Sequence, residues 1–183
     1  TFYDDPEVIE WCFKEAEKFF PNNELIINEA HPFIWEFFHG NRSTYYMLIE
    51  RALQKGARID AIGLQYHMFH TLDRYNELSQ IYYDPQRIFD VLDLYGSFGK
   101  PIQITEVTIP AYSQNADDEE IQREIVRNVY RMWFSHPTVE AITYWNLIDG
   151  FAAFAKPGDM TAGENFYYGG LLRYDFTPKP AYF

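Results

Sequence analysis

One cysteine, Cys12, stands in 183 residues, so neither an intrachain disulfide nor a thiolate metal cluster can form. Cys12 falls on the apolar face of a predicted helix and is expected in the core. Basic residues are also scarce: 15 Lys and Arg against 27 Asp and Glu leave a net charge of -12. Such a chain lacks the cations that release phosphate counterions, which excludes nucleic acid as a partner. The same balance argues against binding to an anionic membrane surface. No apolar run reaches membrane-spanning length, and no signal peptide is expected. The opening Thr1-Phe-Tyr-Asp-Asp-Pro6 fits a processed or excised segment. No glycine-rich phosphate loop follows any predicted strand, which disfavours the nucleotide-binding doubly wound folds. The serines lack a nucleophile-elbow context, which argues against acyl transfer.

What is abundant is aromatic. Tyr, Phe and Trp make up 19% of the chain (15, 16 and 4 residues), more than a small core needs for packing. Rings in excess either make a bulky core or stack on flat ligands. With nucleic acid excluded, a neutral, ring-bearing ligand remains compatible.

Helix and strand signals alternate. Asp5-Pro6-Glu7 is a helix start, and Val8, Ile9, Cys12, Phe13, Ala16 and Phe19 then recur at helical spacing. Glu24–Glu29 reads as a strand, followed by a polar, aromatic loop from His31 to Asn41. Ser43–Lys55 reads as a helix stopped by Gly56, and Ile59–His67 as a second strand. A long loop is expected up to Tyr83. Asp84-Pro85 repeats the cap signature and opens a helix ended by Gly96 and Gly99. Strand 101–107, a long helix from Asp117 to His136 and strand 139–145 follow. Asn146–Tyr168 reads as a Gly- and aromatic-rich loop, 169–175 as a short strand or hairpin, and 178–183 as a helix entry. Strand starts near 24, 59, 101 and 139 imply α/β architecture with parallel strands. Four such units make half of a (β/α)8 TIM barrel, which needs roughly 250 residues.

The chain is organised around Lys100-Pro-Ile-Gln-Ile-Thr-Glu106-Val-Thr-Ile-Pro110, an almost continuous apolar run suited to a strand covered on both faces. Simple alternation puts Glu106 on one face with Ile102 and Ile104. Candidate functional residues gather at strand C-termini: Asn28 and Glu29, Gln65 and His67, Glu106, Trp145. Gln65 and His67 share a face, with Tyr66 opposite. A carboxylate, an imidazole, an amide and an indole at one rim suit sugar hydrolysis. The carboxylate attacks or stabilises the anomeric carbon, the polar groups hold it and the hydroxyls, and tryptophan offers a ring platform. Each residue singly also fits a structural role. His67 and His70 do not make a convincing metal pair, since no third ligand is adjacent; no metal or cofactor is expected.

In these motifs the chain resembles glycoside hydrolase family 10, the retaining endo-β-1,4-xylanases. Ile-Thr-Glu106-Val is similar to the family's nucleophile strand, Ile-Gly-Leu-Gln65-Tyr-His67 to its Gln-x-His strand, and Ile-Thr-Tyr-Trp145 to its strand-eight tryptophan. Leu25-Ile-Ile-Asn28-Glu29 is similar to the strand-five segment and Pro178-Lys-Pro-Ala-Tyr to the terminal motif. The resemblance spans residues 1–183 and implies the C-terminal half of the catalytic barrel, strands five to eight. By resemblance, Glu106 is the nucleophile, His67 its hydrogen-bond partner, Gln65, Asn28 and Tyr66 substrate contacts, and Trp145 a sugar platform.

Asn28-Glu29-Ala30 also resembles the family's acid/base motif on strand four. The preceding helix, the count of strands before Trp145 and the absence of a Trp-Asp-Val-type lead-in favour strand five. The acid/base is then expected from outside this chain, in the N-terminal half of the barrel. Departures from the family are Tyr66 in place of a small residue, a longer Met68–Tyr83 loop, Asn146 after Trp145, and Phe151 or Phe154 in place of a second tryptophan. The implied partners are xylan or a related β-1,4-linked polysaccharide and the N-terminal half, on the same gene or a second chain. The implied location is secreted, periplasmic or cell-surface. A non-catalytic half-barrel that binds polysaccharide or pairs with another chain is the alternative.

Overall fold

The computed structural model describes residues 5–30, 33 and 39–183. Most of the loop expected over His31–Asn41 therefore lies outside the described residues. Helix α1 (Pro6–Phe19) starts where the Asp5 carboxylate accepts the Glu7 N–H at 3.1 Å. Helix α2 (Thr44–Gln54) is capped by Ser43, which accepts the Tyr46 N–H at 3.1 Å. Helix α4 (Pro85–Gly96) is capped by Asp84 on Gln86 N–H at 3.0 Å. Helix α5 (Ala116–Ser135) is capped by Asn115 and carries Asp117, Asp118 and Glu119 in its first turn, where the helix dipole favours them. Helix α3 (Tyr75–Tyr82) occupies a stretch expected to be loop. It has no side-chain cap, and its apolar positions are only Tyr75, Leu78, Ile81 and Tyr82, so the sequence signal is short and weak.

The strands β1 (Ile26–Glu29), β2 (Ala61–His67), β3 (Ile102–Thr108) and β4 (Val139–Tyr144) pair in that order, all parallel. Residues 169–175 form no regular strand; Leu172 makes single bridges to Ile148 and Pro178. The expected entry at 178–183 is one 3-10 turn, Pro180–Tyr182.

The core lies between one sheet face and the helices. Ile62, Leu64, Ile102, Ile104, Leu92, Tyr95 and Trp133 are fully buried there. Each such aliphatic side chain contributes about 1.5–3 kcal/mol by leaving water. The other sheet face is polar, carrying Asn28, Gln65, Gln103 and Thr105.

Two expectations are corrected by this packing. Cys12 is exposed, not buried, and Phe19 on the same helix is exposed as well. Helical spacing identifies an apolar stripe but not whether anything covers it. Among the described residues, α1 packs on α2, and no strand lies beyond β1. The second correction concerns Glu106. The β2–β3 register runs Leu64↔Ile104 and then Gln65↔Glu106, so Thr105 is an extra residue in β3. That bulge breaks the period-two pattern. Glu106 leaves the helix-covered face of Ile102 and Ile104 and joins Gln65 on the polar face.

Candidate active site

Glu106 is held at both carboxylate oxygens. Gln65 Nε2 donates to Oε1 at 2.7 Å, and His67 Nε2 lies 3.0 Å from Oε2. The two donors sit two residues apart on β2, so one strand presents both to the adjacent strand's carboxylate. The Thr108 hydroxyl lies 2.9 Å from His67 Nδ1. Burial pushes the His67 pKa down to about 4, partly opposed by the Glu164 charge. The imidazole is therefore neutral at pH 7. With a hydroxyl donor at Nδ1 and a carboxylate at Nε2, the tautomer that satisfies both partners carries its proton on Nε2. Burial pushes the Glu106 carboxyl above the ordinary value. Neutral donors orient Glu106, and among the described residues no Lys or Arg pairs with it.

The surroundings are aromatic. Phe69 stacks on His67 at 4.6 Å with 11° between planes. The Trp145 ring meets His67 edge-on at 5.9 Å. Trp145 N–H donates to Val107 O at 2.9 Å, which fixes the backbone of Trp145 just past the end of β4. Trp145 is 43% exposed as a residue, which leaves it accessible to a ligand. The indole N–H donates to Glu164 Oε2 at 2.8 Å.

Four of the expected site residues, Gln65, His67, Glu106 and Trp145, thus come together at the C-terminal end of the sheet. Asn28 does not join them. It pairs with Gly63, two positions below Gln65, and its Oδ1 accepts the Thr105 hydroxyl at 2.6 Å. A Cβ on Gly63 would come within 2.5 Å of that oxygen, so only glycine admits this inner contact. Tyr66 is corrected outright: it is buried on the helix side, edge-on to Trp133 at 4.9 Å, with its hydroxyl donating to Tyr82 O. A residue in that position cannot touch a ligand on the opposite face. Glu29 accepts the Ala30 N–H at 2.6 Å and pairs with the buried Leu64, away from Glu106. His70 lies among Tyr75, Tyr82 and Tyr112 while His67 is turned to Glu106, so the two do not act as a pair.

Three contributors were not anticipated. Thr108 could have been found, since it is two residues past Glu106 and opposite His67. Phe69 and Glu164 lie in irregular segments and carry no periodic signal.

Residues 4–183 match the family described as Glycosyl hydrolase family 10. This chain belongs to that family. It is 26% identical over 182 residues to endo-1,4-beta-xylanase B of Thermotoga neapolitana, covering 97% of this chain and 47% of that protein. It is also 26% identical over 135 residues to anti-sigma-I factor RsgI6 of Acetivibrio thermocellus, covering 74% of this chain and 15% of that protein. In fold it is similar to native xylanase 10B of Thermotoga maritima, with a TM-score of 0.71 at 24% identity, covering 97% of this chain and 50% of that one. The chain thus spans about half the length of these two xylanases. Its parallel strand–helix units correspond to about half of a family 10 TIM barrel.

The neutral state of His67 has a consequence for stability. Its pKa in the fold lies below the ordinary 6.5. The unfolded chain therefore binds the proton first, and stability is lost as pH falls from about 6.5 towards 4. Urea unfolding at pH 7 and pH 4.5 should show a larger loss for the wild type than for His67→Gln. Equal losses in the two proteins would remove His67 as the cause.

Proposed function

We propose that this chain forms the C-terminal half of a retaining endo-β-1,4-xylanase-type barrel, with Glu106 as its nucleophile. The observation that carries this reading is a carboxylate gripped at both oxygens by neutral donors, beside an exposed tryptophan, at the C-terminal end of a parallel sheet. Glu106 attacks the anomeric carbon as the bond from that carbon to the leaving oxygen breaks. A carboxylic acid roughly 5–5.5 Å away gives its proton to that oxygen. The same group then takes a proton from water, which attacks the anomeric carbon and frees Glu106. His67 and Gln65 hold the attacking carboxylate in line, and Trp145 supports the face of the sugar.

The acid/base comes from outside this chain, from the N-terminal half of the barrel on the same gene or a second chain. The orientation of Glu29, away from Glu106, supports this. So does the direct pairing of β1 with β2, which leaves no strand between Glu29 and the Gln65-x-His67 motif. Xylan as substrate rests on the names of the relatives, and a polymeric substrate implies action outside the cell. Xylan hydrolysis should appear when this chain is combined with the N-terminal half of a family 10 barrel and be absent from either half alone. Hydrolysis by the isolated chain that Glu29→Gln abolishes would overturn the assignment.

A second reading, a non-catalytic half-barrel that binds polysaccharide or pairs with another chain, is favoured by the likeness to an anti-sigma factor. Unpaired outer edges on β1 and β4 among the described residues and the exposed Ile26 support association under either reading. Sedimentation should give an assembly larger than one chain; a well-folded monomer counts against both.

A further inference from the structure

Glu164 lies outside every motif that pointed to the active site, yet the fold delivers its carboxylate there. It sits on the 3-10 turn Gly163–Tyr167. Behind it Asn165 is buried, and its side chain makes three hydrogen bonds. Oδ1 accepts the Ala152 N–H at 2.8 Å, and Nδ2 donates to Lys156 O at 3.3 Å and to Asp159 O at 3.1 Å. In front, Glu164 N–H donates to Ala153 O at 3.0 Å. Gly163 adopts φ +52 with its Cα against the Phe154 carbonyl, so a Cβ there would lie 2.5 Å from that oxygen. An irregular loop is thus cross-tied from both sides of one residue, and what it presents is a carboxylate. Glu164 Oε2 takes the Trp145 indole N–H at 2.8 Å. Among the described residues Oε1 has no hydrogen-bond partner. The charge is felt at the site: it raises the proton affinity of His67 and of Tyr167.

We propose that Glu164 determines ligand specificity beside Trp145, its Oε2 fixing the indole and its Oε1 accepting a hydroxyl of an uncharged sugar ring stacked there. The inference rests on the glycosidase reading above. A carboxylate is an acceptor only, so it suits the hydroxyl donors of a neutral sugar. Against a ring that carries its own carboxylate it has nothing to donate, and the two like charges repel at close range. Glu106 and the net charge of -12 add to that repulsion. The subsite therefore takes neutral β-linked sugars and rejects uronic acids.

Glu164→Gln separates this role from a structural one. The amide keeps the shape and can still accept the indole N–H, but it loses the charge and gains a donor. In the barrel assembled from this chain and a family 10 N-terminal half, kcat/KM would be measured on two substrates. One is a linear neutral xylo-oligosaccharide, and the other is the same oligomer with a uronic acid at the glycone end. The neutral-to-acidic preference should fall about tenfold in Glu164→Gln, mostly through KM. Salt should narrow the same preference in the wild type but not in the variant. Glu164→Ala, checked for fold by circular dichroism, should weaken the neutral substrate further. A preference unchanged within twofold in a folded, active Glu164→Gln overturns the proposal. Absence of any glycan hydrolysis by the wild-type assembly overturns the glycosidase reading, and this inference with it, before any variant is compared.

Discussion

Glu106→Ala should lower glycosidase kcat/KM of the assembled barrel by about 10^4-fold or more, the scale of losing a nucleophile rather than a binding contact. Alanine removes the oxygen proposed to attack and leaves Gln65 and His67 facing a small polar space. An added small anion such as azide can enter that space. It should restore turnover of a substrate with a good leaving group and give a glycosyl azide inverted at the anomeric carbon. Inversion reports attack from the side that Glu106 occupied, which a merely structural carboxylate would not produce. Residual activity within tenfold of the wild type, or azide without effect on rate or product, would end the nucleophile assignment. Glu106→Gln is the less clean variant. Its amide nitrogen must face Gln65 Nε2 or His67 Nε2, a donor against a donor.

Lys179→Met should cost the fold about 3–5 kcal/mol, on the order of 10 °C in melting temperature for a domain of this size. Lys179 Nζ lies 2.7 Å from Asp149 Oδ2, with both side chains fully out of solvent. The ammonium also donates to Tyr168 O at 2.7 Å, and Asp149 Oδ1 accepts the Gly170 N–H at 2.8 Å. Burial pushes the Asp149 carboxyl up and the Lys179 amine down, while each partner favours charge on the other. Removing only Lys179 leaves a buried carboxylate without its cation. The double variant Asp149→Asn/Lys179→Met should therefore lose less than the sum of the two single changes. Chemical denaturation of the three variants measures this coupling; a single-variant cost below about 1 kcal/mol would show that the pair contributes little. The pair joins the start of the 146–168 loop to the C-terminal turn, so the same variant should also loosen the loop that carries Glu164.

Glu106 shows how far pattern reading reaches. Its position near the end of an apolar strand was legible as a carboxylate in need of a role. The partners were legible too, because Gln65 and His67 are two apart and must face together. Its face was not. Alternation counted from Ile102 and Ile104 gives the helix side, and one extra residue at Thr105 reverses the result. A bulge is set by pairing with a neighbouring strand and leaves no mark in local composition. Tyr66 fails for a simpler reason. Its ring suits either a ligand or a core, and the side of β2 on which it falls puts it against Trp133.

The sequence alone determined the alternation of strands and helices, the capped starts at Asp5 and Asp84, and the strand ends where the candidate site residues gather. These depend on side-chain period and on local hydrogen-bonding capacity, both carried by neighbouring residues. The tertiary structure decided which apolar residues are covered: Cys12 and Phe19 sit on a sound helical stripe yet are exposed. It also decided the face of Glu106 and the arrival of Glu164 beside Trp145, from 19 residues further along the chain. Those outcomes depend on register and on loop closure between distant segments, which no local pattern encodes.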